Sequence, residues 1–155
     1  MSQENVEKAL AWQPSPSTDV AESFRDDLSW AAASAVWSST LTHDFQCRIH
    51  GMPDHDGEIF DGLQGLRSAF LEWVAPWQSY RSQVDNVVDL GDRVLVLVRD
   101  HARQRGDMHE VAVIGANLST FRDGKLASID FYLDRDCAFA DVGLTPEGEQ
   151  QPEDP

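Results

Sequence analysis

Residues 80–133 constrain the chain most, because β-branched and apolar runs alternate there with short turn signals. The spacing predicts strands over 80–90, 93–101, 109–121 and 125–133, parted by Gly91-Asp92, by 104–107 and by the hairpin signal Asp123-Gly124. Polar groups interrupt these runs where a plain core strand would carry none. Arg99 and His101 follow Val94-Leu95-Val96-Leu97-Val98, Asn117 breaks the third run, and Asp130 breaks the fourth. A charge on a half-buried sheet face is costly unless it is paired or lines a cavity. The pattern therefore predicts a sheet wrapped around a polar-lined pocket.

Upstream, helical signals dominate. Residues 5–11 suit a short helix, stopped at Gln13-Pro14-Ser15-Pro16-Ser17 because proline lacks a donor and restricts its predecessor. Thr18 or Asp19 caps a second helix, in which Val20, Phe24, Leu28, Ala31 and Ala35 form one apolar stripe with Trp30 and Trp37 at its edge. Residues 45–50 read as a first strand, 51–57 as a turn-rich loop and 58–60 as a short edge strand. A third helix carries Leu66, Phe70 and Trp73 on one face until Pro76 ends it. Residues 134–142 read as a last helix with Gly143 as its stop. Helices followed by a meander of antiparallel strands mean an α+β architecture, with the helices on one face of the sheet. The expected organisation is an N-terminal segment over 1–17, one domain over 18–144, and a disordered acidic tail over 145–155.

Charge narrows the partners. Twelve basic against twenty-seven acidic residues give a net charge of −15, which repels phosphate backbones and anionic membranes. Neither nucleic acid nor membrane is an expected partner. Cys47 and Cys137 have no C-x-x-C companion and read as small buried hydrophobes rather than a disulfide. The N-terminus has no signal-peptide pattern, and no window approaches the ~20 apolar residues of a membrane span, so the expected location is cytoplasmic.

Several blocks also resemble a known family. Met1-Ser2-Gln3-Glu4-Asn5-Val6-Glu7, Asp61-Gly62-Leu63-Gln64-Gly65-Leu66-Arg67 and the Trp73, Pro76-Trp77, Tyr80 block are similar to SnoaL-like proteins of the nuclear transport factor 2-like superfamily. So are Val87-Val88-Asp89-Leu90-Gly91-Asp92-Arg93-Val94, Phe121-Arg122-Asp123-Gly124-Lys125-Leu126 and Phe131-Tyr132-Leu133-Asp134-Arg135. Their order and spacing extend over residues 41–144. The resemblance implies a cone: a strongly curved sheet closed by helices around an apolar pocket with a few polar groups inside. It implies kinship with ketosteroid isomerase, polyketide cyclases and limonene-type epoxide hydrolases, and with members that only bind. Pro14 and Pro16 interrupt a helix that the family usually continues, and His43-Asp44 lacks the proline commonly placed there.

Asp130 shares a strand face with Ser128 and Tyr132, and Arg99 shares one with His101. By the resemblance, an acidic residue on the last strand acts as acid or base, and Arg99-Asp100-His101 stands where epoxide hydrolases carry Arg-x-Asp. Asp100 points the other way in a regular strand. A buried carboxylate gains proton affinity, a guanidinium opposes that, and an imidazole exchanges protons near neutrality. The catalytic expectation is thus Asp130, His101 and Arg99; the alternative is an Arg99–Asp130 structural ion pair with His101 in water. Asn117 is a candidate oxyanion donor, or an amide serving backbone near a bulge at Gly115.

His50, Asp54, His55 and Asp56 lack a calcium-loop or zinc-type spacing and read as a solvated acidic turn, so no metal or other cofactor is expected. Tyr132, Trp37, Trp73, Trp77 and Phe70 are the expected substrate-binding walls for a flat, hydrophobic small molecule. The resulting expectation is a homodimeric, cofactor-independent cyclase or isomerase working by acid/base chemistry on a hydrophobic carbonyl compound. Epoxide hydrolysis and ligand binding without catalysis stay open as alternatives.

Overall fold

Turn chemistry organises the sheet. Asp123 and Gly124 both take positive φ, 53° and 79°, so the two-residue turn joining β5 (Glu110–Arg122) to β6 (Lys125–Tyr132) has the twist that matches right-handed strands. Glycine at 91, with φ 87°, turns β3 (Trp77–Asp89) into β4 (Arg93–Gln104). The computed structural model describes residues 2–52 and 56–144. Six strands form one sheet in the order β2-β1-β6-β5-β4-β3, with β1 at Leu41–His50 and β2, a short edge, at Ile59–Asp61. Register shifts at Val84/Asn86 and Thr120/Phe121 bend it. The expected antiparallel meander holds for β3 to β6. It fails at the seam, where β6 runs parallel to β1. Local turn signals fix the direction of sequential neighbours and say nothing of strands that meet only after the whole chain has returned.

Around the middle of β4 both faces of the sheet are covered, by different material. Val94, Val96 and Val98 of β4 belong to the main core with Phe45, Ile49 and Ile129. Leu95 and Leu97 point the other way and pack with Leu118 and Tyr132 under α5 (Arg135–Val142), through Ala138 and Phe139. Burial on both sides explains the unbroken apolar run Val94-Leu95-Val96-Leu97-Val98. Gly143, at φ 76°, ends α5 as the sequence predicts.

Helix α1 (Ser2–Ala11) and helix α4 (Gly62–Val74) lie where expected. The second expected helix is in fact two. α2 (Val20–Arg25) stops at Asp26, whose extended backbone and side chain, bonded to Ser29 N and Oγ, start α3 (Asp27–Trp37). This corner changes the helical phase. Leu28, placed on the apolar stripe by spacing, is 82% exposed, while Trp30 is 5% exposed and packs on Phe24. Cys47 is buried, and its desolvated thiol is pushed up to about 12, but Cys137 is exposed, against expectation, on α5. The expected disordered tail over 145–155 and the Asp54–His55 part of the acidic turn lie outside the described residues. No helix among the described residues is long and apolar enough to cross a membrane.

Candidate functional site

A cavity of about 300 Å³ lies between the inner sheet face and the helical layer. Helices α2, α3 and α4 contribute Phe24, Trp37, Phe70 and Trp73 to its wall, and the exit of α1 contributes Trp12 and Gln13. The aromatics hold one another: Phe24 stacks on Phe70 at 4.5 Å, Phe70 on Trp73 at 5.4 Å, and Trp12 on Trp37 at 4.5 Å. Rings locked by rings present a flat apolar surface at little entropic cost.

One carboxylate lines this cavity among the described residues, and it is Asp100. Strand pairing places it: Asp100 lies opposite Ser82 on β3 and two residues beyond Val98 on the inner face of β4. Tyr80 Oη donates to Asp100 Oδ2 and Ser82 Oγ donates to Oδ1, both at 2.6 Å. Asp100 is only 6% exposed. Burial pushes its carboxyl above the ordinary value, against the two hydroxyl bonds and the neighbouring His101, which favour the anion. Burial also raises Tyr80, reinforced by the Asp100 charge, so the phenol stays protonated and a donor.

Asn117, expected as a substrate contact, does line the cavity, 7% exposed, opposite Val96. Its amide pairs with Gln13 rather than with backbone. No bulge exists at Gly115, which pairs regularly with Val98. That glycine is needed for another reason: a Cβ there would stand 2.4 Å from the Tyr132 carbonyl oxygen. Trp37, Trp73 and Phe70 line the cavity as expected. Trp77 packs against the core and is not among the lining residues, so its placement is corrected. Tyr132 borders the cavity but turns its hydroxyl to Asp141, 2.8 Å away.

The expected trio stands elsewhere. Arg99 lies opposite Ile114, and Asp130 opposite Leu118, so both share the outer face with Leu95 and Leu97. Arg99 pairs with Asp85 at 3.4 Å, His101 reaches Gln83 at 3.5 Å, and Asp130 holds His50 Nε2 at 2.8 Å with His50 stacked on Tyr132. None of the three lines the cavity, and they do not meet one another there. The reason is strand parity. In a run apolar on both faces, spacing says which residues share a face but not which face turns inward. Asp100, Tyr80 and Ser82 were missed for this reason, although the two-residue spacing of Tyr80 and Ser82 was visible. Gln13 and Trp12 were missed because nothing local shows that the segment before Pro14 roofs the cavity.

The model of the SnoaL-like domain matches residues 20–129. A protein assigned as a SnoaL-like polyketide cyclase from Jannaschia sp. CCS1 superposes with a TM-score of 0.57 at 22% identity, covering 93% of each chain. TerC, co-crystallised with polyporic acid, gives 0.58 at 18% identity, over 90% of this chain and 97% of that one. A protein with a ketosteroid isomerase-like fold from Catenulispora acidiphila DSM 44928, in complex with trimethylamine, gives 0.54 at 17% identity, over 87% and 97%. A search of curated proteins finds no match. At these identities the likeness is one of fold.

Proposed function

The chain belongs to the SnoaL-like domain family, and from that premise we propose that it is a cofactor-independent cyclase or isomerase acting by acid/base chemistry on a small hydrophobic carbonyl compound. One observation carries the reading. Asp100, the carboxylate lining an aromatic cavity, is buried and hydrogen-bonded on both oxygens by neutral hydroxyls. No cation bonds to it among the hydrogen bonds and ion pairs of the described residues, and burial raises its proton affinity above the ordinary carboxylate value, as suits a general base.

The chemistry follows from those bonds. Asp100 takes a proton from the carbon next to a carbonyl; the C–H electrons become the enolate π bond, and the carbonyl oxygen takes up the negative charge. Once Asp100 is protonated, its oxygens are weaker acceptors, and the Tyr80 or Ser82 hydroxyl can turn to the enolate oxygen. In an isomerisation the proton returns from Asp100 to a different carbon of the conjugated system. In a cyclisation the enolate carbon attacks a second carbonyl of the same molecule, and the resulting alkoxide takes the proton. Trp37, Phe70 and Trp73 hold the substrate flat and exclude water.

Proton exchange tests this without knowledge of the natural substrate. 2-Tetralone is incubated with the protein in D2O, and α-deuteration is followed by NMR. Wild type is expected to accelerate exchange; Asp100→Asn should lower the rate by ~100-fold or more, and Tyr80→Phe by ~10-fold. Bound ketone with no accelerated exchange would instead mark a non-catalytic binder. Epoxide opening draws less support, since Arg99 and Asp130 occupy the outer face and leave Asp100 without a carboxylate partner in the cavity.

A further inference from the structure

The cavity has a second polar station, and a residue of the chain itself occupies it. Asn117 Nδ2 donates to Gln13 Oε1 and Gln13 Nε2 donates to Asn117 Oδ1, both at 3.2 Å. Both residues line the cavity. Asn117 lies four positions along β5 from Val113, the partner of Asp100, which puts the two stations roughly 13 Å apart at ~3.3 Å per residue. Phe131 stands opposite Asn117 on β6 and also lines the cavity, so the wall beside this station is aromatic.

Two further observations mark the pair as exchangeable. Ser119, two residues from Asn117 on the same inner face, is 0% exposed, and its hydroxyl has no hydrogen-bond partner. Ser119 does not itself line the cavity, so its orphaned hydroxyl lies just behind the station, an unused bonding capacity that buried polar groups seldom retain. Gln13 also lies outside the matched domain, residues 20–129, in a segment that leaves through Pro14 and Pro16. Side-chain bonds tie that segment to the sheet at two exposed turns, Asn5 Nδ2 to the Gly91 carbonyl at 3.0 Å and Lys8 Nζ to the Gly124 carbonyl at 2.6 Å. Gln13 Nε2 has one other bond, to the Ala9 carbonyl at 3.2 Å.

We propose that Asn117 is a recognition subsite for a planar ligand group carrying an acceptor and a donor on one carbon, as a carboxamide or lactam does, and that Gln13 is its intramolecular stand-in. The side chain of Gln13 is itself a carboxamide, so the free protein displays the chemistry that the subsite selects. A flat ligand with such a group at one end satisfies Asn117 in place of Gln13, while its other end reaches toward Asp100. The proposal rests on the reading of the cavity as a small-molecule site.

Calorimetric titration with 2-naphthamide and its ester counterpart, methyl 2-naphthoate, tests it. Gln13→Ala removes the intramolecular competitor and should tighten the amide by ~5- to 10-fold, the factor one or two net hydrogen bonds supply, with the ester moving by less than ~2-fold. Asn117→Ala should weaken the amide by ~10-fold and spare the ester. In wild-type protein, the side-chain amide resonances of Gln13 and Asn117 should both shift with the amide and not with the ester, a readout that needs no variant to fold. Equal shifts of both probes in Gln13→Ala, or a weakened amide, would overturn the subsite alone. Failure of both probes to bind wild type would overturn the cavity reading as well.

Discussion

At the scale of single residues, Asp100 is a group whose burial opposes stability and suits the proposed chemistry. Its folded-state affinity for the proton is raised, so the folded protein holds that proton more tightly than the unfolded chain does. The sign is therefore the reverse of the usual carboxylate. The contribution to stability is full below the unfolded value, ~3.9, and is lost as pH rises through the folded value. Asp100→Asn, which is neutral throughout, should melt higher than wild type at pH 7 by roughly 2–4 °C, the response of a chain this long to about 1 kcal/mol. The gap should close as the scan is repeated toward pH 4. A variant that melts lower at pH 7 would show that the two hydroxyl bonds outweigh burial. Gly115 is the opposite case, a residue required for space. Gly115→Ala drives a methyl group against the Tyr132 carbonyl and is expected to cost more than ~2 kcal/mol in urea titration.

At the scale of elements, capping residues join the helical layer to the sheet. Asp19 Oδ1 accepts from Ala21 N at 3.1 Å and Glu22 N at 3.4 Å, which starts α2, and from Tyr80 N at 3.1 Å, which fixes the strand carrying the proposed donor. Asp19→Ala should cost about 1–2 kcal/mol by the loss of a cap. It should also slow ketone exchange several-fold, because Tyr80 loses an anchor; exchange at the wild-type rate would show the bond to be structural only. Arg25 works in the same way, since its Nη2 donates to the carbonyls of Val74 and Trp77 at 2.5 and 2.7 Å and ties α2 to the α4–β3 junction. On the outer face Arg135 donates to the carbonyls of Gly115 and Val98 at 3.1 and 2.8 Å, which pins α5 over the middle of the sheet. The α2–α3 corner at Asp26 shows how a single Asx cap redirects a stripe that spacing alone would continue.

At the scale of the whole molecule, a net charge of −15 acts against compaction. Melting temperature should rise by a few degrees between ~10 mM and ~0.5 M NaCl, as screening removes self-repulsion across distances beyond the Debye length. A temperature unchanged by salt would show that the charges are already balanced locally, as in the Arg122–Asp44 and Arg81–Glu110 pairs. The outer sheet face leaves Ile114 38% exposed, opposite Arg99. We propose that a second copy covers this face. Sedimentation should then show a dimer whose fraction grows with salt and falls in Ile114→Glu; a monomer under all conditions would remove the pairing without touching the cavity.

Turn residues, helix stops and strand runs were legible in the chain because each depends on its immediate neighbours. Asp123-Gly124 must turn, Pro76 must end a helix, and 93–101 must be strand wherever the rest of the chain lies. The aromatic wall was legible too, since Phe70 and Trp73 share a helical face at any packing. Which side of β4 looks inward was not legible. Leu95, Leu97 and Arg99 compete for the interior with Val94, Val96 and Asp100, and both sets are apolar enough to be buried. Only the arrival of α5 on one face and of α2, α3 and α4 on the other decided that contest, and with it whether Arg99 and His101 or Asp100 would line the cavity.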